Sequence, residues 1–108
     1  MSYKLIPTES FKRELKKLRK KYPSLLEDLE SIESELIQNP RLGKEVYKNC
    51  YKIRIAIKSK GKGKSGGGRL VTHVRIENES IFLLSIYDKS KRESITDTYI
   101  KSLLDFIP

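Results

Sequence analysis

The sequence predicts a single-domain α+β fold over residues 1–108, with an N-terminal helical hairpin, a small and mostly antiparallel sheet, and a C-terminal helix. Two observations lead to this prediction. A chain of 108 residues can bury one core without metal or disulfide support. From Tyr47 onward, the spacing of apolar residues changes from a helical period of 3.6 to a strand period of two. The predicted element order is β-α-α-β-β-β-α.

The first half of the chain predicts one strand and two helices. Tyr3–Pro7 alternates as a short strand, and Thr8 is placed to cap a helix over Glu9–Tyr22. A second helix is predicted to begin at Pro23 and to stop before Asn39. The apolar stripes of the two helices are Phe11, Leu15, Leu18 and Tyr22, and Leu25, Leu29, Ile32 and Leu36.

The second half predicts three strands and a helix. Tyr51–Ile57 alternates apolar residues with Lys52, Arg54 and other outward positions, and Arg69–Ile76 alternates in the same way. Ile81–Tyr87 is apolar on both faces, which is typical of a central strand covered on both sides. The apolar residues between Ile95 and Leu104 predict the C-terminal helix.

The charge distribution indicates a polyanionic partner. The chain has a formal net charge of +9, and residues 41–69 hold ten bases and one acid, whereas residues 23–40 hold five acids and no base. Such a concentration of cations favours nucleic acid as the partner over a merely solubilising surface. A single cysteine excludes an intramolecular disulfide, and no apolar run reaches membrane-spanning length. We therefore expect a cytoplasmic protein with no membrane partner and no signal peptide.

The stretch "GKGKSGGGR", Gly61 to Arg69, contains the residue types of a nucleotide-binding loop. A phosphate-binding loop would need glycine where Lys58 stands, and it would be followed by a helix instead of a strand. The stretch is interpreted as a mobile, basic hairpin loop, poorly ordered from Lys60 to Gly67 without a partner; the alternative is a solvated tip. Its candidate RNA contacts are Lys58, Lys60, Lys62 and Lys64.

The residues that could carry out chemistry form a predicted cationic cluster, whereas the histidine and the cysteine do not form a site. One histidine and one cysteine, His73 and Cys50, cannot build a closed zinc site, so we expect no metal and no cofactor. They lie on different predicted strands without an orienting acid, which argues against a nucleophile–base pair. The cluster residues are Lys52, Arg54, Arg69, Tyr87, Lys89, Lys91 and Arg92. These residues could cleave RNA through its own 2′-hydroxyl without metal, or could simply bind phosphate; the residues alone favour neither.

Four segments, "YKIRIAI", "GKGKSGGGR", "RLVTHV" and "IFLLSIYDKSKRESIT", together resemble the RelE/ParE superfamily of bacterial toxins. The sequence is most similar to the HigB-like branch, in which a Lys/Gly loop ending in Gly-Gly-x-Arg precedes the third strand. The resemblance covers nearly the whole chain and implies the same β-α-α-β-β-β-α fold.

The resemblance implies a type II toxin that cleaves mRNA in the ribosomal A site without metal, inhibits translation and is neutralised by a cognate antitoxin. We expect the antitoxin to be of the helix-turn-helix type. The implied catalytic residues are Arg54, Arg69, Tyr87 and Lys89. The implied RNA- and ribosome-binding residues are Lys52, Lys58, Lys60, Lys62, Lys64, Lys91 and Arg92.

The sequence departs from the family pattern at one position, and two other functions remain as alternatives to the mRNA-cleaving toxin. Some RelE members carry a catalytic tyrosine before the last helix, where this sequence reads Glu93-Ser94-Ile95-Thr96, so Tyr87 or Tyr99 would have to replace it. The alternative functions are a ParE-like inhibitor of DNA gyrase and a non-catalytic, basic RNA- or ribosome-binding domain.

Overall fold

One five-stranded sheet, with helices on both faces, organises the protein. The computed structural model describes residues 3–92 and 95–107. The strands are β1 Lys4–Pro7, β2 Lys44–Tyr47, β3 Cys50–Ile55, β4 Gly68–Arg75 and β5 Ser80–Asp88. The helices are α1 Glu9–Lys21, α2 Leu25–Gln38, a short α3 Gly63–Gly66 and α4 Asp97–Leu104. The strand order is β1-β5-β4-β3-β2, with β1 parallel to β5 and all other pairs antiparallel, which confirms the predicted α+β class.

The N-terminal hairpin forms largely as predicted. The hydroxyl of Thr8 accepts a hydrogen bond from the Phe11 amide at 3.4 Å and donates one to the Leu83 carbonyl at 2.9 Å, so it caps α1 and ties it to β5. The prediction that α2 begins at Pro23 is wrong. Pro23 lies in a turn, and α2 begins at Leu25 after Ser24.

Two apolar clusters hold the layers together. The larger cluster lies between the sheet and the hairpin and includes Phe11, Leu25, Leu29, Leu36, Ile53, Ile55, Leu70 and Ile86. The smaller cluster lies against α4 and includes Val71, Phe82, Leu84, Tyr87, Ile100 and Leu103. All nine residues of β5 are buried, as the prediction of a central strand requires. Because α4 is short, the second face of the sheet is only partly covered.

Strand β2 is an element that the sequence did not predict. It pairs with β3 across a turn in which Asn49 adopts a φ of 57°. Four residues are too few to show a period, which explains the omission. At Gly43, φ is 99° and an added Cβ would lie 2.5 Å from the Lys52 carbonyl oxygen, so only glycine lets the chain enter β2 so close to β3.

The glycine-rich segment is folded onto the sheet. We expected a mobile hairpin loop; the structure instead forms a 3₁₀ turn over Lys58–Lys60 and the short helix α3. An added Cβ on Gly67 would collide with the Ile55 carbonyl oxygen, so this glycine permits close contact between the loop and β3. None of the helices that the structure describes is long and apolar enough to cross a membrane.

Candidate active site

A cavity of about 250 Å³ opens on the sheet face that α4 leaves uncovered. We call it the cationic cavity. Every described residue that lines it is basic: Lys44, Lys52, Arg54, Arg69 and Lys89. Among the described residues, none of these five forms an ion pair with a carboxylate. Five unneutralised cations around one space form a binding site for an anion.

The strand register explains why these side chains meet. Lys44 on β2 lies opposite Lys52 on β3, and Arg54 lies opposite Arg69 on β4. Residues two apart on a strand share a face, so Lys52 and Arg54 point the same way. Lys89 follows β5, where its amide donates to the Gly67 carbonyl at 3.1 Å. The cavity therefore collects cations from three strands and one turn.

The guanidinium of Arg69 is held in place by the glycine-rich segment. It donates to the carbonyls of Gly68 at 2.8 Å, Lys64 at 3.0 Å and Ser65 at 3.2 Å, and the residue is buried. Burial lowers the pKa of Arg69, and the neighbouring cation of Arg54 lowers it further. An anion in the cavity would relieve this crowding, so the site is arranged to gain free energy on binding phosphate.

Tyr87 lies opposite Arg69 in the register but does not line the cavity. It is buried, and its hydroxyl has no hydrogen-bond partner among the described residues. Burial raises the pKa of Tyr87, although the charges of Arg69 and Arg92 oppose that rise. The phenol is therefore protonated at neutral pH and can donate a hydrogen bond or a proton, but cannot accept a proton as a base.

Arg92 covers this tyrosine from outside. Its guanidinium carbon lies 5.5 Å from the centre of the Tyr87 ring and 4.7 Å from that of Tyr99 on α4. Lys91, the neighbouring predicted RNA contact, is exposed. Of the segment predicted to lack a catalytic tyrosine, residues 93 and 94 lie outside the described residues. Thr96 caps α4 by accepting a hydrogen bond from the Tyr99 amide.

A buried ionic network lies beside the cavity. The carboxylate of Asp88 accepts hydrogen bonds from Lys60 Nζ at 2.6 Å, from the Tyr22 hydroxyl at 2.7 Å, and from the Ser90 hydroxyl and amide at 2.8 and 3.0 Å. Lys21 Nζ lies 3.9 Å from it. Burial alone would raise the pKa of Asp88, but the hydrogen bonds outweigh burial and hold it well below its usual range. This network ties the glycine-rich segment to the ends of α1 and β5.

The four loop lysines, predicted as equivalent RNA contacts, differ in the structure. Lys58 is exposed and lies 3.7 Å from Glu27. Lys60 forms an ion pair with Asp88, with 2.6 Å between its Nζ and a carboxylate oxygen, and only 9% of its side chain is exposed. Lys62 is exposed, and Lys64 lines a second cavity that adjoins the cationic one. Spacing along the chain gave no hint of this division.

Cys50 and His73, which were predicted to lie on different strands, are direct neighbours on β3 and β4. The thiol Sγ lies 3.4 Å from His73 Nδ1. Burial, aided by the charge of Glu45, raises the pKa of Cys50 to about 12, and burial lowers the pKa of His73. The pair is a protonated thiol beside a neutral imidazole. That state is inert as a nucleophile, because the thiolate is the attacking form.

Two residues of the site were missed from the sequence. Lys44 belongs to the unpredicted strand β2, so its position opposite Lys52 was not visible. Asp88 lies within the segment "IFLLSIYDKSKRESIT" but was not predicted as a site residue. The signal that could have found it is an acid at the end of a fully apolar strand, because such an acid is buried and must be paired.

Comparison with known proteins agrees with this geometry. The family model described as "RelE toxin of RelE / RelB toxin-antitoxin system" matches residues 3–106. The free E. coli toxin RelE, solved as a double arginine-to-alanine variant, is similar with 25% identity and a TM-score of 0.64 over all of both chains. A chain of the intact E. coli RelBE toxin–antitoxin complex is 27% identical with a TM-score of 0.58; the match covers 80% of this chain and 95% of that one.

These findings confirm the resemblance at the level of the superfamily, whereas the narrower placement in the HigB-like branch stays a prediction. The matched residues contain all five cations of the cationic cavity and the Asp88 network. The family model matches nearly the entire chain, and the free RelE toxin shares its fold from end to end. This chain belongs to the RelE toxin family.

Proposed function

We propose that this protein is the toxin of a type II toxin–antitoxin system and cleaves mRNA on the ribosome, in the A site, without a metal ion. The observation that carries the proposal is the cationic cavity, in which five bases and no carboxylate among the described residues surround a space of about 250 Å³ on a RelE-family fold. A phosphodiester is the anion that this family context supplies.

The proposed reaction uses the substrate's own nucleophile. The 2′-hydroxyl of the nucleotide gives up its proton, and its oxygen bonds to the adjacent phosphorus. The bond from phosphorus to the 5′-oxygen of the next nucleotide breaks, and that oxygen takes a proton. The products are a 2′,3′-cyclic phosphate and a 5′-hydroxyl. The protein then has to supply only charge stabilisation and the proton for the leaving oxygen.

The geometry distributes these tasks among the side chains. We assign Arg54 and Arg69 to the charge that develops on the phosphate oxygens, because the carbonyls of the glycine-rich segment hold Arg69 in position before substrate arrives. We assign proton donation to Tyr87, which lies opposite Arg69 in the register and is kept protonated by its raised pKa; its buried hydroxyl, which does not line the cavity, must turn towards the 5′-oxygen when RNA binds. As cations, Lys52 and Lys89 add to this charge stabilisation, and the 2′-proton leaves to water.

The composition of the cavity supports catalysis without metal. A divalent cation entering it would meet five positive charges and, among the described residues that line it, no oxygen ligand from an acid. The same charges suit the ribosome and its mRNA, with the exposed Lys58, Lys62, Lys64, Lys91 and Arg92 as further contacts. A cytoplasmic location and a cognate helix-turn-helix antitoxin complete the proposal.

The chemistry of the cut ends tests the proposal. Ribosomes programmed with a defined mRNA should be cleaved in the A site, and the fragments should carry a 2′,3′-cyclic phosphate and a 5′-hydroxyl. A single 2′-deoxy substitution at the cleaved position should abolish the cut. Fragments with 5′-phosphates would contradict the metal-free mechanism. Intact mRNA together with a DNA-damage response in expressing cells would favour the ParE-like alternative, and intact mRNA alone the non-catalytic one.

A further inference from the structure

Helix α2 is acidic in a protein of net positive charge, and neither RNA binding nor cleavage uses that acidity. Residues 23–40 hold five acids and no base, although the chain has a formal net charge of +9. One stripe of α2 is buried in the larger apolar cluster and consists of Leu25, Leu29, Ile32 and Leu36. A second stripe lies beside it and consists of Leu26, Glu30, Glu33 and Ile37. We call this second stripe the outer stripe of α2.

The outer stripe follows the spacing of one helix face. Its residues are four, three and four positions apart, which places their side chains above one another on the helix. Leu26 and Ile37 are each 39% exposed, and they are two of the four large hydrophobic residues that are exposed in the described part of the chain. From one to the other the helix rises by about 16 Å, or three turns. The stripe therefore presents an apolar side chain at each end and two carboxylates between them.

A groove of about 280 Å³ runs beside the outer stripe. Leu26, Glu30 and Glu33 line it from α2. Its floor is apolar and is formed by Leu5, Pro7, Phe11, Leu15, Leu29 and Leu83. Lys12 is the one base among the described residues that line the groove, and its Nζ lies 3.5 Å from a carboxylate oxygen of Glu9. The groove thus extends the stripe with apolar surface and does not neutralise its acids.

The two carboxylates of the outer stripe have no cationic partner. Neither Glu30 nor Glu33 forms a side-chain hydrogen bond or an ion pair with another residue that the structure describes. Burial raises the pKa of Glu33, and the neighbouring charge of Glu30 raises it further. A cation placed between the two carboxylates would offset their repulsion and favour the ionised form of both. Charge complementarity therefore selects a basic partner for this surface.

We propose that the outer stripe and its groove form a docking surface for an amphipathic helix of the antitoxin, one that carries basic residues between apolar ones. The apolar residues of that helix would contact Leu26, Ile37 and the groove floor, and its basic residues would pair with Glu30 and Glu33. The hairpin lies on the sheet face opposite the cationic cavity, so a basic helix binds there without meeting those five cations. The inference rests on the proposed toxin–antitoxin function and adds the place and the charge of one contact.

Titration of the toxin with its antitoxin tests this inference without requiring cleavage. The purified toxin is titrated by calorimetry with the product of the adjoining antitoxin gene. Glu30→Gln combined with Glu33→Gln should weaken binding by about tenfold or more, because the basic residues of the docked helix lose their partners. High salt should reduce that difference by screening. Leu26→Ala combined with Ile37→Ala should weaken binding by about the same factor, and this loss should persist in high salt.

The matched control is Glu27→Gln combined with Glu35→Gln, which removes the same charge from the same helix outside the outer stripe. Glu27 lies 3.7 Å from Lys58, and Glu35 lines a different cavity beside Leu42. This variant should bind the antitoxin like wild type, and urea denaturation checks that each variant is folded.

Three outcomes would overturn the inference. Equal affinity of the two glutamine variants would remove the docking surface and leave the proposed function intact. Unchanged antitoxin affinity, together with toxin self-association that the outer-stripe variants abolish, would assign the surface to a second copy of the chain. A wild type that binds no antitoxin would overturn both this inference and the proposed toxin–antitoxin system.

Discussion

Two groups of cations lie side by side at the end of the sheet: one is paired with a buried carboxylate, and the other is not paired with any acid among the described residues. Lys60 is almost enclosed and donates to a buried carboxylate at 2.6 Å. Arg54, Arg69 and the three lysines of the cationic cavity surround an open space with no acidic partner among the described residues. The two groups meet at neighbouring residues, because Asp88 is the partner of Lys60 and the next residue, Lys89, lines the cationic cavity.

This difference indicates that the paired group serves the fold and that the unpaired group serves activity. A buried charge pair is strongly destabilised when one partner is removed, so the Asp88 network maintains the fold of the glycine-rich segment. Unpaired like charges repel one another until an anion arrives, so an exposed cation of the cationic cavity such as Arg54 is maintained at the expense of the fold. Arg69 differs, because its hydrogen bonds to three carbonyls also support the glycine-rich segment. Variants of the Asp88 network should lose stability, whereas a variant of Arg54 should lose activity while gaining stability.

The largest expected effect is on catalysis in the cationic cavity. Arg54→Gln should slow mRNA cleavage by about 100-fold or more, because a charge that faces the transition state is lost. Arg54 is exposed on the sheet surface, so the variant should fold normally. Single-turnover cleavage on programmed ribosomes measures the effect. Lys101→Gln, which removes an exposed cation on α4, is the control and should cleave like wild type. A near-normal rate for Arg54→Gln would remove this arginine from the mechanism.

The next effect is on stability and concerns the Asp88 network. Asp88→Asn should lower the free energy of unfolding by about 3 kcal/mol, because the Lys60 ammonium would be left buried without a counter-charge. Lys58→Gln breaks the exposed pair with Glu27, 3.7 Å apart, and should cost less than about 1 kcal/mol. Urea denaturation of both variants measures the contrast. Equal losses would mean that burial does not distinguish the two pairs.

A pH dependence follows from the same carboxylate. The pKa of Asp88 is lower in the folded protein than in the unfolded chain, where it is about 3.9. Its contribution to stability is therefore present above that unfolded value and is lost as the pH falls through the folded value. Between pH 6 and pH 2, wild type should lose more free energy of unfolding than Asp88→Asn. Parallel curves for the two proteins would show that Asp88 is not held ionised.

The fold was largely predictable because its elements carry long, regular patterns. The stripe from Phe11 to Tyr22 and the apolar run of β5 left little choice of structure, and the cap at Thr8 marked where α1 begins. Strand β2 could not be predicted, because its four residues gain their pairing from β3 and from the close approach at Gly43, which depend on tertiary structure.

The candidate site was predictable only in part. Strand alternation indicated that Lys52 and Arg54 share a face, and the strand order brings Arg69 beside them. The even spacing of Lys58, Lys60, Lys62 and Lys64 suggested one role for four residues. The structure gives Lys60 a different one, because Asp88 approaches it from β5, far away in the sequence. Pairing of a charge with a distant acid leaves no periodic signal.

The smallest expected effect is a gain in stability, and it is the one that distinguishes the cationic cavity most clearly from the Asp88 network. Arg54→Gln, which is expected to abolish most cleavage, should raise the free energy of unfolding, by less than about 1 kcal/mol. The reason is that Arg54 crowds Arg69, whose pKa it helps to lower, so its removal relieves repulsion in the folded state only. Urea denaturation at low ionic strength measures the gain, and 1 M NaCl should erase it by screening. Lys101→Gln should show no such gain. A loss of stability in Arg54→Gln would mean that this cation supports the fold, and that the two groups are not opposites.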